Sequence, residues 1–375
     1  MRIGFNARYL ASDDQRGFNR YTAELARALA ALGHEVVLFS EGPIDPVHGL
    51  SEVAGISAVC RAVRPQARWQ HLWLSGAIRR AKIEVFHAPA HWGIPLRCPC
   101  PTVATIHDVA GWELPGLFGD GTRAAAWRHR WEERLTTSRA ARIITVSEYS
   151  ARSIERYLGL DRARIAVTVE GAAPVFSRPQ AQGRAAAIAG QFGVRAPWFL
   201  CVGGFETRKN LGLIVRALAL LPPEERATVV LVGQRNEEAE ALAEDARDLG
   251  VDRWLPQVDF LVEEDLAALY AGARAVIMPS LLEGFGLPVV EGMHAGTPAI
   301  VSSAGSLPEI AGDAAIVIDP GDAAGLAAAI RTLACDDRVQ GALAARARAR
   351  APRFTWSAAA DQTFKVYEEV LRKPA

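Results

Sequence analysis

Charge of one sign is what this chain most plainly lacks. Across 375 residues, 42 Lys and Arg face 42 Asp and Glu, for a formal net charge of zero and a pI near 7.1. That balance supplies no long-range attraction to nucleic acid, so no nucleic-acid partner is expected. Cysteine is scarce: five residues, at Cys60, Cys98, Cys100, Cys201 and Cys335. No two pairs have zinc-finger spacing, which excludes a structural zinc of that kind, and the odd, dispersed thiols fit the cytoplasm. Cys98 and Cys100, flanking one proline, read as small residues in the approach to a strand. No apolar run reaches the length of a membrane-spanning helix, so any membrane contact is expected to be peripheral. The opening Met-Arg-Ile-Gly-Phe-Asn reads as the start of a strand rather than as a signal peptide. No Asp-x-Asp pair occurs, and no obligatory divalent metal or resident cofactor is expected. No Gly-x-Gly-x-x-Gly follows the first strand, which argues against a nicotinamide dehydrogenase. Solenoid-length repeats are also missing.

What is present is alternation. Half of the residues are hydrophobic and 22% are charged, as in a packed globular protein, and the length suits two domains. In the first half, strands are predicted at Arg2–Asn6, Glu35–Ser40, 85–87, 102–107, 142–146 and 164–169. A polar loop covers 11–20. A helix over 21–32 puts Leu25, Leu29 and Leu32 on one face and stops at Gly33. Ser147 stands where an N-cap belongs, ahead of the helix Glu148–Leu158. The stretch 171–179, rich in Gly, Ala and Pro, reads as the approach to a linker. A second series follows: strands Trp198–Val202, Thr228–Val232, 275–278, Ala299–Ser302 and Ala315–Ile318, with helices over 211–221, 237–250, 266–271, 288–295 and 322–333. The Ala/Arg stretch 342–351 reads as a solvated helix face. A tail helix over 356–371 is expected to cross back to the first half. Short apolar strands between helices, twice over, predict an α/β protein with two doubly wound parallel sheets. The boundaries read as 1–178, 179–355 and a returning 356–375. Ligands of such sheets bind beyond the carboxyl ends of the strands, here in a cleft between two facing domains.

Four strand-end segments carry candidate chemistry. Glu283-Gly-Phe-Gly-Leu-Pro-Val-Val-Glu291 follows the strand ending at Met278. Pro288 suits the first turn of a helix, Gly284 and Gly286 let backbone approach a ligand, and the amides of a helix start favour an anion. Glu283 precedes the helix and Glu291 lies about one turn in, so the two carboxylates do different jobs. Val202-Gly-Gly-Phe-Glu-Thr-Arg-Lys-Asn210 sets Arg208 and Lys209 where two cations can stabilise phosphate charge. A bland alternative is an exposed Arg-Lys pair in a surface turn. Thr105-Ile106-His107-Asp108 ends a first-half strand, where His107 is placed to meet a ligand hydroxyl or a developing charge. His87 ends a neighbouring strand and reads as support for the cleft floor. Arg16-Gly-Phe-Asn-Arg-Tyr21 offers Gly17 before a helix start, as a phosphate or acceptor contact or as a plain turn. Apart from these, a basic aromatic helix over 122–135 spaces Trp127 and Trp131 one turn apart among Arg123, Arg128, Arg130 and Arg134. It reads as an ordinary amphipathic helix packing its tryptophans inward, with an anionic membrane surface as the other reading.

The glutamate segment resembles the Glu-x7-Glu signature of glycosyltransferase family four, retaining enzymes of GT-B fold built from two Rossmann-like domains. The resemblance implies that Glu283 contacts the donor sugar, that Glu291 holds the ribose hydroxyls, and that Phe285, Gly286 and Leu287 meet sugar and phosphate through their backbone. Many members carry Gly-Arg where this chain has Gly203-Gly204. It resembles the subgroup reading Arg-Lys-Asn, which places Gly204, Arg208 and Lys209 beside the phosphates and makes His107 the first-domain histidine. Val258 and Phe260, in Val258-Asp-Phe-Leu261, match positions whose backbone pairs with the base. The family often has Gly-x-Gly-Arg in the first loop, and Asn19 stands here at the second glycine. The resemblance thus implies transfer of a mannosyl or glucosyl group from a GDP- or UDP-sugar to a saccharide, lipid-linked or small-molecule acceptor. A GT-B sugar-nucleotide epimerase, a phosphorylase or a non-catalytic nucleotide-sugar-binding protein are the alternatives.

Overall fold

The structure is a computed structural model that describes residues 1–13, 17–115, 123–181, 183–259 and 261–372, with 123–129 described by backbone only. It divides the chain into two compact units, Met1–Glu170 with Trp356–Ala375, and Gly171–Thr355.

The first unit holds a seven-stranded sheet of β1 (Arg2–Asn6), β2 (Glu35–Ser40), β3 (Ile56–Cys60), β4 (Val85–Ala88), β5 (Thr102–Thr105), β6 (Arg142–Thr145) and β7 (Ile165–Val167), in the order β3-β2-β1-β4-β5-β6-β7. Every pairing is parallel. The central strands are buried on both faces, which is why β4 and β5 read as short runs without alternation. Helix Gly17–Ala31 buries Leu25 and Leu29 against β1, β2 and helix Trp356–Arg372, the last contributing Ala359, Tyr367 and Val370 to the same core. Ser147 caps Glu148–Leu158 as its sequence position predicts, accepting from the Ser150 amide.

The second unit holds six parallel strands, β8 (Trp198–Val202), β9 (Thr228–Val232), β10 (Gln257–Val258), β11 (Val276–Met278), β12 (Ala299–Ser302) and β13 (Ala315–Ile318), in the order β10-β9-β8-β11-β12-β13. The predicted pair of parallel α/β sheets is therefore present. Each strand order reverses once, between β1 and β4 and between β8 and β11, and such switch points open a crevice at the carboxyl ends.

Three readings of the sequence need correction. The division falls after Glu170, not at 178. Residues 171–178 belong to the second unit because Ala172 bridges Thr355, Phe176 packs edge-to-face on Tyr270 with ring centroids 5.5 Å apart, and Ser177 bonds His294. The Ala/Arg stretch lies on helix Asp337–Arg350, which is not merely solvated: it buries Leu343, Ala344 and Ala347. In helix Arg123–Arg139, Trp131 is 52% exposed instead of packed inward, while the Trp127 side chain and Thr122 lie outside the described residues. No helix among the described residues is long and apolar enough to cross a membrane.

Candidate functional site

At the second unit's switch point, two loops are locked together by their backbones. β8 exits through Gly203, whose φ of 142° is a conformation that favours glycine and whose open face lets the Lys209 side chain lie across it. The turn Thr207–Lys209 then ends at Asn210 in a left-handed conformation, with φ 54°. Its Nδ2 donates to the carbonyls of Pro279, at 2.9 Å, and Pro320, at 2.8 Å. The Leu281 amide donates to the Arg208 carbonyl at 2.8 Å. Asn210 thus does structural work that explains the third residue of Arg-Lys-Asn.

These bonds bring Glu283 against both cations. Its Oε1 accepts from Lys209 Nζ at 2.8 Å and Ser280 Oγ at 2.8 Å, and its Oε2 accepts from Arg208 Nη1 at 2.9 Å. Burial alone would raise the Glu283 pKa. The charges of Lys209 and Arg208, with the Lys209 and Ser280 hydrogen bonds, outweigh it and bring the carboxyl down to about 2. Beneath it, Gly305 passes so close that a Cβ there would sit 2.5 Å from the Glu283 carbonyl oxygen, and Ser306 Oγ donates to the carbonyls of Glu283, at 3.0 Å, and Phe285, at 2.9 Å. Gly286, at φ 105°, caps helix Leu287–Ala295, and Pro288 occupies its first turn. Phe285 is buried edge-to-face on Phe354. Glu291 is buried on this helix and accepts from the Tyr270 hydroxyl at 2.6 Å.

Other second-unit candidates are placed less directly. Gly204 lies between Gly203 and the turn, against the Glu206 carboxylate. The Val258 carbonyl accepts from the Gly233 amide at 3.0 Å, so it serves the sheet. Phe260 lies outside the described residues. Cys201, Val202, Gly203, Lys209 and Leu231 line a small pocket at the ends of β8 and β9.

In the first unit, His107 follows β5. Its Nδ1 lies 3.0 Å from Glu170 Oε1 and its Nε2 3.2 Å from the Pro89 carbonyl. Burial opposes protonation of this ring, but the Glu170 bond and charge, with Pro89 and Asp108, outweigh it and hold its pKa above the ordinary histidine value. Both ring nitrogens are therefore engaged within the unit. His87 is fully buried between the Tyr367 hydroxyl, 2.6 Å from Nδ1, and Thr105 Oγ1, 2.8 Å from Nε2. Burial, with the nearby His107 charge, lowers it to about 3 and keeps it neutral. Gly17 begins helix Gly17–Ala31 at φ 52°, and residues 14–16 before it lie outside the described set. Among the described residues no three His, Cys, Asp or Glu side chains gather to hold a metal ion.

Sequence reasoning missed Ser280, Tyr270 and Glu170. Ser280 had a signal, lying just past β11 and three residues before Glu283; Tyr270 and Glu170 had none that periodicity exposes.

Comparison with known proteins places the chain. Residues 16–171 match the family model described as Glycosyltransferase Family 4, and residues 196–336 the model described as Glycosyl transferases group 1. The O-antigen chain mannosyltransferase B of Escherichia coli is 31% identical over 295 residues, covering 78% of this chain and 76% of that one. A D-inositol 3-phosphate glycosyltransferase of Corynebacterium kroppenstedtii is 28% identical over 96% of this chain and 86% of its own. Among solved structures, the Anabaena protein HepE in complex with UDP-glucose superposes with a TM-score of 0.80 at 19% identity, over 98% of this chain and 100% of that one.

Proposed function

The chain belongs to glycosyltransferase family 4, a hexosyltransferase, and from that membership we propose that it retains configuration while moving a mannosyl or glucosyl group from a GDP- or UDP-sugar to a hydroxyl of a saccharide, lipid-linked or small-molecule acceptor. The observation that carries this reading is the convergence of Arg208, Lys209 and Glu283 at the second unit's switch point. The donor's diphosphate lies against Lys209 and Arg208, with Gly204 giving the backbone room. Glu283 meets the sugar and keeps both cations aimed. The amides of Phe285, Gly286 and Leu287 serve sugar and phosphate, and Glu291, fixed by Tyr270, takes the ribose hydroxyls. By the family resemblance, the segment that follows Val258 takes the base. In the transfer, the bond from the anomeric carbon to the phosphate oxygen breaks, and the acceptor oxygen bonds to that carbon on the same face. The acceptor's proton passes to the departing phosphate. The two side-chain cations, rather than a metal ion, offset its charge. Gly17 and His107 serve the acceptor. The mannosyltransferase name of the Escherichia coli relative supports a mannosyl donor, and the unpaired cysteines support a cytoplasmic site of action.

Turnover of GDP- and UDP-sugars by Lys209→Ala and His107→Ala tests this. Loss of one preorganised charge or donor is expected to lower kcat by about 10²–10³-fold. Near wild-type turnover in both variants would reject the assignment.

A further inference from the structure

Two segments that flank β6 meet at one buried contact. Thr145, ending β6, donates from Oγ1 to the Ile106 carbonyl at 2.6 Å, and its own carbonyl accepts from the Thr168 amide at 2.8 Å. One residue thus fixes the exit of β5, which carries His107, and the exit of β7, which carries Glu170. The second exit is pinned again by Gln362 of helix Trp356–Arg372, whose Oε1 accepts from the Val169 amide at 2.9 Å. The Glu170 carboxylate is then held against His107 Nδ1, with side chains only 6% and 17% exposed.

The other side of the ring faces the Pro89 carbonyl, which only accepts. A carboxylate on one nitrogen and a carbonyl on the other require both nitrogens to donate, which defines the imidazolium. The remaining groups around it agree. Asp108 adds negative charge and His87 behind it is neutral, while the Tyr21 ring, perpendicular to the imidazole with centroids 4.7 Å apart, adds no charge because burial raises its hydroxyl pKa.

We propose that Glu170 is a positioning residue of the transfer reaction: it holds His107 as a fixed imidazolium, so that the histidine acts as a positive charge of set orientation and not as the base that takes the acceptor's proton. This rests on the reading of His107 as a site residue. It also fits that reading's chemistry, in which the departing phosphate takes the proton.

The test is a side-chain NMR titration of ¹⁵N-histidine-labelled full-length protein, run beside kcat-against-pH profiles for wild type, Glu170→Gln and Glu170→Asp. His107 of the wild type should titrate above about 6.5, the ordinary value. Wild-type turnover should fall as pH rises through that midpoint. Glu170→Gln, which keeps an acceptor but loses the charge, should move both the midpoint and the alkaline limb down by about one pH unit or more, with kcat reduced at least tenfold and the donor KM unchanged. Glu170→Asp should recover part of each. A wild-type His107 that titrates at or below the ordinary value overturns the proposal without any variant, as does a titration and profile unmoved by Glu170→Gln. Full activity in His107→Ala instead sinks the reading on which it rests.

Discussion

Glu283 concentrates the physics of the site in one carboxylate. Burial opposes its charge, and two cations with a serine hydroxyl restore it. Removing one partner of a buried pair leaves the others uncompensated, which costs more than the pair itself contributes. Glu283→Gln is therefore expected to destabilise the protein by about 3 kcal/mol, measured by denaturant unfolding, and to abolish most turnover. The pH sign follows from the depressed pKa. The unfolded carboxyl, at its ordinary value, takes up a proton before the folded one does. The stability contributed by Glu283 is full above the ordinary carboxylate range and is lost as pH falls toward about 2. Wild-type stability should drop across that window more steeply than that of Glu283→Gln; equal slopes would count against the ion-pair account. As candidates, Glu283, Glu291 and Lys209 stood out because a strand end, paired glycines and a helix start coincide there. Glu170 was not. It sits in an aperiodic stretch, and its meaning comes from a histidine 63 positions away that reaches it only across β6.

At the scale of elements, helix Trp356–Arg372 is the piece whose importance exceeds its position in the chain. It buries Trp356, Ala359, Ala360, Val366, Tyr367 and Val370 in the first unit's core and holds the Glu170 segment through Gln362. Tyr367 also reaches the His87 ring, which joins Thr105 and through it the Tyr21 hydroxyl, 3.0 Å away. Tyr367→Phe removes one buried hydroxyl and leaves a ring nitrogen unpaired, at an expected cost of about 1–3 kcal/mol by thermal or denaturant unfolding. His87 sharpens the test. Its folded pKa is depressed to about 3, so its contribution is complete above the ordinary histidine value and is lost as pH falls from there toward about 3. A variant as stable as wild type at neutral pH would show that this chain of hydroxyls and imidazole contributes nothing. The elements legible in advance were those with both faces buried, such as Ala299–Ser302 and Thr228–Val232, or with a cap, such as Glu148–Leu158. β3 escaped because it is an edge strand with Ser57, Ala58 and Cys60 exposed, and so carries no inward pattern. The five-residue helix Leu307–Ala311 is too short to show a period.

For the whole molecule, one topology is used twice. Each unit reverses its strand order once: Arg208, Lys209 and Glu283 follow the two strands that flank the reversal in the second unit, whereas in the first unit Gly17 comes after β1 and His107 after β5, one strand beyond the reversal. Net charge is zero, so the attraction proposed for an anionic donor has to be local, from the two cations held in place by one acid. Thermal unfolding of wild type and Lys209→Ala with saturating GDP-, UDP-, ADP- and dTDP-sugars measures that attraction directly. A ligand at a hundredfold its Kd stabilises the folded state by about 2.7 kcal/mol. One nucleotide class should raise the wild-type Tm by several degrees and leave Lys209→Ala unmoved. No shift with any of the four, or equal shifts in both proteins, would contradict a donor site built on Lys209 and Glu283.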